Sequence, residues 1–171
     1  MSTMYVNKVQ ELNVGSGVHI PGHVIQVVSA EETAASSSTS SSPVNIVSVN
    51  ITPKSSSSKI YIMASVHAST ASASRAGVGL YKDSNPVVRG DASGNRSRVY
   101  GQVQNGDTGI FSSIAMTYLD SPATTSQITY SAKMEPEGGS TQFYINRSAD
   151  DSNGGARFRG VSAITVMEIA Q

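Results

Sequence analysis

Lys59-Ile60-Tyr61-Ile62-Met63-Ala64-Ser65-Val66 decides the fold class. Ile60, Ile62, Ala64 and Val66 recur with a period of two, which puts all four on one face of a β-strand. Tyr61, Met63 and Ser65, continued by His67, make the other face, which is mixed rather than charged. Working outward, 44–51 is a second strand-like run on one side. On the other, further runs lie at 77–82, 86–89, 97–103, 109–119, 126–134, 142–146 and 160–170. Turn residues separate them at the spacing of sandwiches and barrels, and no helix of ordinary length is needed. The pattern predicts an all-β chain, an antiparallel two-sheet β-sandwich of jelly-roll type.

Upstream of these runs the texture changes. Residues 23–28 are a β-branched run and open the sandwich head, which spans 23–171. Between 31 and 43 the chain is dominated by Ala, Ser and Thr, a composition that reads as a flexible surface loop. Residues 1–22 hold only short apolar pulses, broken by Asn, Gly and the Pro21-Gly22 turn signal. Such a segment has no core of its own and is expected to be extended and to order against another protein. Tyr5, Val6, Val9, Leu12 and Val14 are its candidate anchor contacts.

Composition narrows the partners. The 171 residues carry 12 basic and 12 acidic side chains. A chain so balanced lacks the field that drives non-specific nucleic-acid binding. No run of 18 apolar residues suggests membrane insertion. Cysteine is absent, so disulfides and thiolate chemistry are excluded together. The apolar residues are mostly small or β-branched, giving one subunit a thin core, and burial between subunits is the usual remedy. The last run, 160–170, supports this: Val161, Ala163, Thr165, Met167 and Ile169 form one face, and Ile164, Val166 and Ala170 the other with only Glu168 charged. A sandwich covers one face of a strand, so the second is expected to meet a neighbouring copy. Val161, Ile164, Val166, Met167 and Ile169 are the interface candidates, with the choice of parity open.

The residues point to no catalytic centre and no cofactor. His19 and His23 straddle Pro21-Gly22 and cannot share a helical face as paired zinc ligands do; three copies of one of them could ring a symmetry axis, against the ordinary reading of stalk or turn histidines. Asp150-Asp151-Ser152-Asn153-Gly154-Gly155 lacks the ligand spacing of a calcium loop. Gly77-Val78-Gly79 opens no helix and lacks the dinucleotide fingerprint. No carboxylate pair of the glycosidase kind is recognisable from spacing. Asn50-Ile51-Thr52, Asn95-Arg96-Ser97 and Asn146-Arg147-Ser148 match the glycosylation pattern and Arg89-Gly90-Asp91 an adhesion tripeptide, by letters alone. The polar, glycine-rich connections suit glycan or protein contacts, and Arg89, Asp91, Arg96, Arg98, Asp150 and Asp151 are the candidate contact residues.

Several phrases, in order along the chain, resemble a recurrent domain in structural proteins of marine tailed phages, cyanophages especially. They are Gly22-His23-Val24-Ile25-Gln26-Val27-Val28, Ile51-Thr52-Pro53-Lys54 with the serines that follow, Gly77-Val78-Gly79-Leu80-Tyr81, Tyr118-Leu119-Asp120-Ser121-Pro122 and Ala163-Ile164-Thr165-Val166-Met167-Glu168-Ile169. The resemblance covers nearly all of 22–171 and implies a non-enzymatic virion protein, assembled in the host cytoplasm, usually trimeric. The expected role is a surface fibre or receptor-binding tip, joined to other virion proteins through residues 1–22 and contacting a host surface glycan or protein. The alternative is a capsid decoration or cement protein, since no extended repetitive shaft is present.

Overall fold

Period-two alternation sets the burial of the longest strand. Ile60, Ile62, Ala64 and Val66 lie in the core, and Tyr61, Met63 and His67 are half-buried on the opposite face. The structure, a computed structural model, describes residues 8, 10, 20–71, 74–136 and 141–171. Tyr5, Val6, Val9, Leu12, Val14 and His19 lie outside the described residues.

Among the described residues eleven strands follow one another: β1 (Val24–Glu32), β2 (Ser36–Ser38), β3 (Val44–Ile51), β4 (Lys59–Thr70), β5 (Arg75–Lys82), β6 (Asn85–Pro86), β7 (Gly101–Gln104), β8 (Ser112–Asp120), β9 (Ile128–Pro136), β10 (Phe143–Ile145) and β11 (Ser162–Ile169). In the first sheet β4 pairs with β8 on one edge. On its other edge it pairs with β11 and, farther along, β10, beyond which lie β1 and β2. The second sheet runs β3-β9-β5, with β7 and β6 sharing the free edge of β5. All pairings between the described strands are antiparallel, and four of them are nested: β1 with β11, β3 with β9, β4 with β8, β5 with β7. A long hairpin rolled into two layers gives this connectivity, which is that of a jelly roll.

The core fills the space between the sheets. Ile60, Ile62, Val66, Met116, Ile164 and Val166 come from the first sheet, and Val47, Ile51, Val78, Leu80, Tyr130 and Met134 from the second. Ile164 and Val166 are therefore interior residues and cannot meet a neighbouring copy. The even parity of β11 faces inward, which settles the choice left open by two apolar faces.

Glu168 shares that inward parity and is fully buried. Its Oε1 accepts hydrogen bonds from the amides of Lys54 (2.8 Å) and Ser55 (3.3 Å), and its Oε2 accepts one from Gln26 Nε2. Gln26 also donates to the Thr52 carbonyl at 2.8 Å, so carboxylate and amide together fix the connection between β3 and β4. At the far end of β8, buried Asp120 ties the sheets together. Tyr130 donates to it at 2.7 Å and Lys82 Nζ lies 3.0 Å away. Burial, and then the Asp120 carboxylate, push the Tyr130 phenol well above its ordinary value.

One loop reading changes. Ser36–Ser38, inside the stretch read as a loop, forms β2 against β10. Asn146 is completely buried with φ at 58°, so its match to a glycosylation acceptor carries no meaning in the folded chain. Its Nδ2 donates to the carbonyls of Glu32 and Ala34, its Oδ1 accepts from Ser162 Oγ at 2.6 Å, and its amide donates to His67 O at 2.8 Å. Asparagine tolerates the left-handed region better than other side-chain-bearing residues, which suits this hub. At the start of the head Gly22 has φ at 86° and the His23 amide donates to Ile20 O at 3.0 Å, a turn that Pro21-Gly22 specifies by type.

Candidate functional site

The two outer faces of the sandwich differ. On the second sheet the outward residues of β5 are Gly77, Gly79 and Tyr81, beside Lys133 and Glu135 of β9. The absence of side chains at both glycines makes space. A Cβ at Gly77 would overlap the Val99 side chain, and one at Gly79 would overlap the Glu135 carboxylate. Glycine inside a strand commonly marks such a close approach. Here it lets the 87–100 connection lie down on the sheet, fastened by Val87 N to Leu80 O (3.0 Å) and Tyr100 N to Val78 O (2.9 Å).

Arg89 locks the connection in place. Its Nη1 pairs with Glu135 Oε2 at 2.7 Å and donates also to the Arg98 carbonyl, and its Nη2 donates to Tyr81 Oη at 3.1 Å. Arg98 returns the contact, Nε donating to Gly90 O at 2.6 Å. Burial opposes the Arg89 charge, but Glu135 outweighs it and the guanidinium is raised above its ordinary value. Tyr81 is pushed up to about 12 by burial first and the Glu135 carboxylate second. Lys133 Nζ sits 4.7 Å from the centre of its ring.

Between this connection and the ends of β5, β7 and β9 runs an open groove of about 750 Å³, lined by Arg75, Arg89, Arg96, Arg98, Gln102 and Glu135 among others. Three of the six contact residues proposed from sequence, Arg89, Arg96 and Arg98, therefore converge, although 89 is half-buried in an ion pair and supports the floor. That placement removes Arg89-Gly90-Asp91 as a displayed tripeptide. Asp91 is exposed and is not among the groove's lining residues.

Asp150 and Asp151 belong to a separate cluster. Arg157 meets Asp150 at 2.7 Å, Arg159 meets Asp151 at 2.5 Å, and Arg147 lies 3.7 Å from Asp151. The Ser152 amide, then the Ser152 side chain and Arg157, lower Asp150 to about 2. Asp150 N donates to Thr108 O at 2.7 Å, joining two connections. The cluster shapes its loop through these pairs. Among the described residues no group of three His, Cys, Asp or Glu is placed to hold a metal ion.

The outer face of the first sheet carries no comparable cover from the described connections. Its rows cross four strands in register: Val27, Met167, Tyr61 and Leu119, then Ser29, Thr165, Met63 and Thr117, then Glu31, Ala163, Ser65 and Ala115. Among these described rows the charges lie at the margin, at Glu31, with Lys59 at the strand end. Val24, Val27, Leu119 and Val161 remain 50, 56, 46 and 46% exposed. Val161, Met167 and Ile169 thus lie on the outer side as interface candidates require. His67 closes one end, Nδ1 sitting 2.9 Å from Val161 O and its ring edge-on to Phe111.

Gly77, Gly79, Tyr81, Arg75 and Glu135 were not singled out from sequence as site residues. Two glycines spaced by one residue within a strand were the available signal, and a reading aimed at nucleotide fingerprints passed over it. No protein-family model and no curated protein matches this chain.

Proposed function

We propose that this chain is a non-enzymatic attachment protein of a tailed-phage virion, a homotrimeric surface fibre or receptor-binding tip. The observation that carries the reading is the contrast between the two outer faces. One is closed by the chain's own 87–100 connection, and the other offers one largely apolar row, Val27, Met167, Tyr61 and Leu119, beside rows of small and hydroxyl side chains, with charge only at the margins. Four strands spaced about 4.8 Å apart and eight residues rising about 3.3 Å each present roughly 500 Å² in projection. Among the described rows only that of Val27, Met167, Tyr61 and Leu119 is largely apolar throughout, so the apolar part of the face is smaller than that area.

Copies of the chain meet on this face, through Val27, Leu119, Val161, Met167 and Ile169. The arginine-lined groove lies on the opposite side of the sandwich and so points away from the sister subunits. Residues 1–22 join the head to other virion proteins. The resemblance of several sequence phrases to marine phage structural proteins supports the virion setting.

Immunogold labelling of purified particles, combined with adsorption competition, tests this reading. Label at fibre or tail tips, with purified chain reducing particle adsorption to host cells, is the expected result. Label spread over the capsid with adsorption unchanged contradicts it and assigns the chain to shell decoration.

A further inference from the structure

We infer that the arginine-lined groove binds an anionic saccharide, one bearing phosphate or carboxylate groups, with Arg96 and Arg98 meeting the anion. In a chain whose charges balance overall, the described lining of this groove brings the exposed Arg96 and Arg98 beside Arg89 and Glu135. Glu135 is committed to Arg89, so the two form a neutral floor.

The exposed guanidiniums differ from Arg89. Arg98 spends only Nε on the Gly90 carbonyl, and its two terminal nitrogens make no hydrogen bond among the described residues. Arg96 donates Nη1 to Ser93 Oγ at 3.0 Å, leaving Nη2 and Nε. A guanidinium with two parallel N–H groups to offer matches both carboxylate and phosphate oxygens. The clamp between Arg89 and the Arg98 carbonyl, answered by Arg98 on Gly90, fixes the connection before any ligand arrives, which lowers the ordering cost of binding.

The rest of the lining selects the ligand class. Asn95, Ser97 and Gln102 supply neutral donors and acceptors of the kind that pair with sugar hydroxyls. Aromatic side chains are absent from the described lining, so bases of single-stranded nucleic acid have nothing to stack on. Ala76, Val99 and Pro136 are too small a set of apolar groups to anchor a peptide side chain.

Titration of the ¹⁵N-labelled full chain followed by NMR is the test, with glucose 6-phosphate, galacturonic acid oligomers, a neutral malto-oligosaccharide and oligothymidine as probes. Millimolar amounts of one or both anionic sugars should shift the amides of 96–99 and the arginine Nε–H signals, with the response fading as salt is added. The tighter of the two identifies phosphate or carboxylate as the recognised group. The neutral sugar should give no response. Replacing both arginines, R96Q with R98Q, should weaken binding at least about tenfold, the loss of a charge-assisted pair, with a lower thermal midpoint because the Arg98 bond to Gly90 is lost. R96Q alone separates binding from stability, because among the described residues that guanidinium hydrogen-bonds only Ser93, and it should weaken binding severalfold at an unchanged thermal midpoint. Silence with both anionic sugars, unchanged binding by the variants, or tighter binding of oligothymidine overturns the inference. None of these outcomes bears on how copies assemble or where the protein sits on a particle.

Discussion

Glu168 is the residue whose removal should be most costly per atom lost. Glu168→Ala leaves the amides of Lys54 and Ser55 and the Gln26 side chain without their acceptor in a buried setting. The expected loss is roughly 3 kcal/mol, read as a lower urea midpoint, with Glu168→Gln losing about half as much because one acceptor oxygen survives. A second prediction concerns pH. Asp150 is held at about 2, chiefly by the Ser152 amide and less by Arg157. A carboxyl depressed in the folded state favours folding above the ordinary carboxylate range, and that contribution is lost as pH falls toward 2. Carbon-detected NMR should place its midpoint near 2, and Arg157→Gln should raise it only part of the way because the Ser152 bonds remain. The roles of these side chains were hard to read in advance. The sequence marks Glu168 as the single charge on an apolar face, but only the fold brings the 54–55 amides to it.

At the scale of elements, alternation was legible in β4, whose inward residues Ile60, Ile62, Ala64 and Val66 match the period, whereas in β3 a bulge buries Ile46 and Val47 in succession. It failed for β11, where both parities are apolar and nothing local says which one the second sheet will cover. The serine tract failed for a different reason. β2 is ordered by backbone pairing with β10, and backbone hydrogen bonds leave no trace in side-chain polarity. The run at 97–103 was read too long because Val99 and its neighbours lie over the sheet before joining it as β7. This cover yields a prediction. Gly77→Val should displace Val99, costing about 1–3 kcal/mol as overpacking does, and should unseat the 87–100 connection while the far-UV signature of the sandwich persists. Gly90→Ala is the control, since a Cβ there has its nearest neighbour, Val99 O, 4.0 Å away.

For the whole molecule, the jelly roll was legible as a class, and its nested pairing follows once the strands are placed. Quaternary structure depends on which outer face stays bare, and that required knowing where the 87–100 connection goes. With β11 oriented, two substitutions one residue apart have opposite expected effects. Val166→Asp places a charge among Ile62, Ile164 and the rest of the core, where an unpaired ion costs several kcal/mol, and it should unfold the head. Met167→Asp places the same charge in the row of Val27, Tyr61 and Leu119, where it should leave the sandwich folded and separate the copies.

Light scattering coupled to size exclusion, on the wild-type chain and Met167→Asp at micromolar concentration, tests the central claim most directly. The account predicts a wild-type mass of three chains and a variant mass of one, both with the same β-rich far-UV spectrum. A monomeric wild type, or a variant that remains a folded trimer, would contradict it.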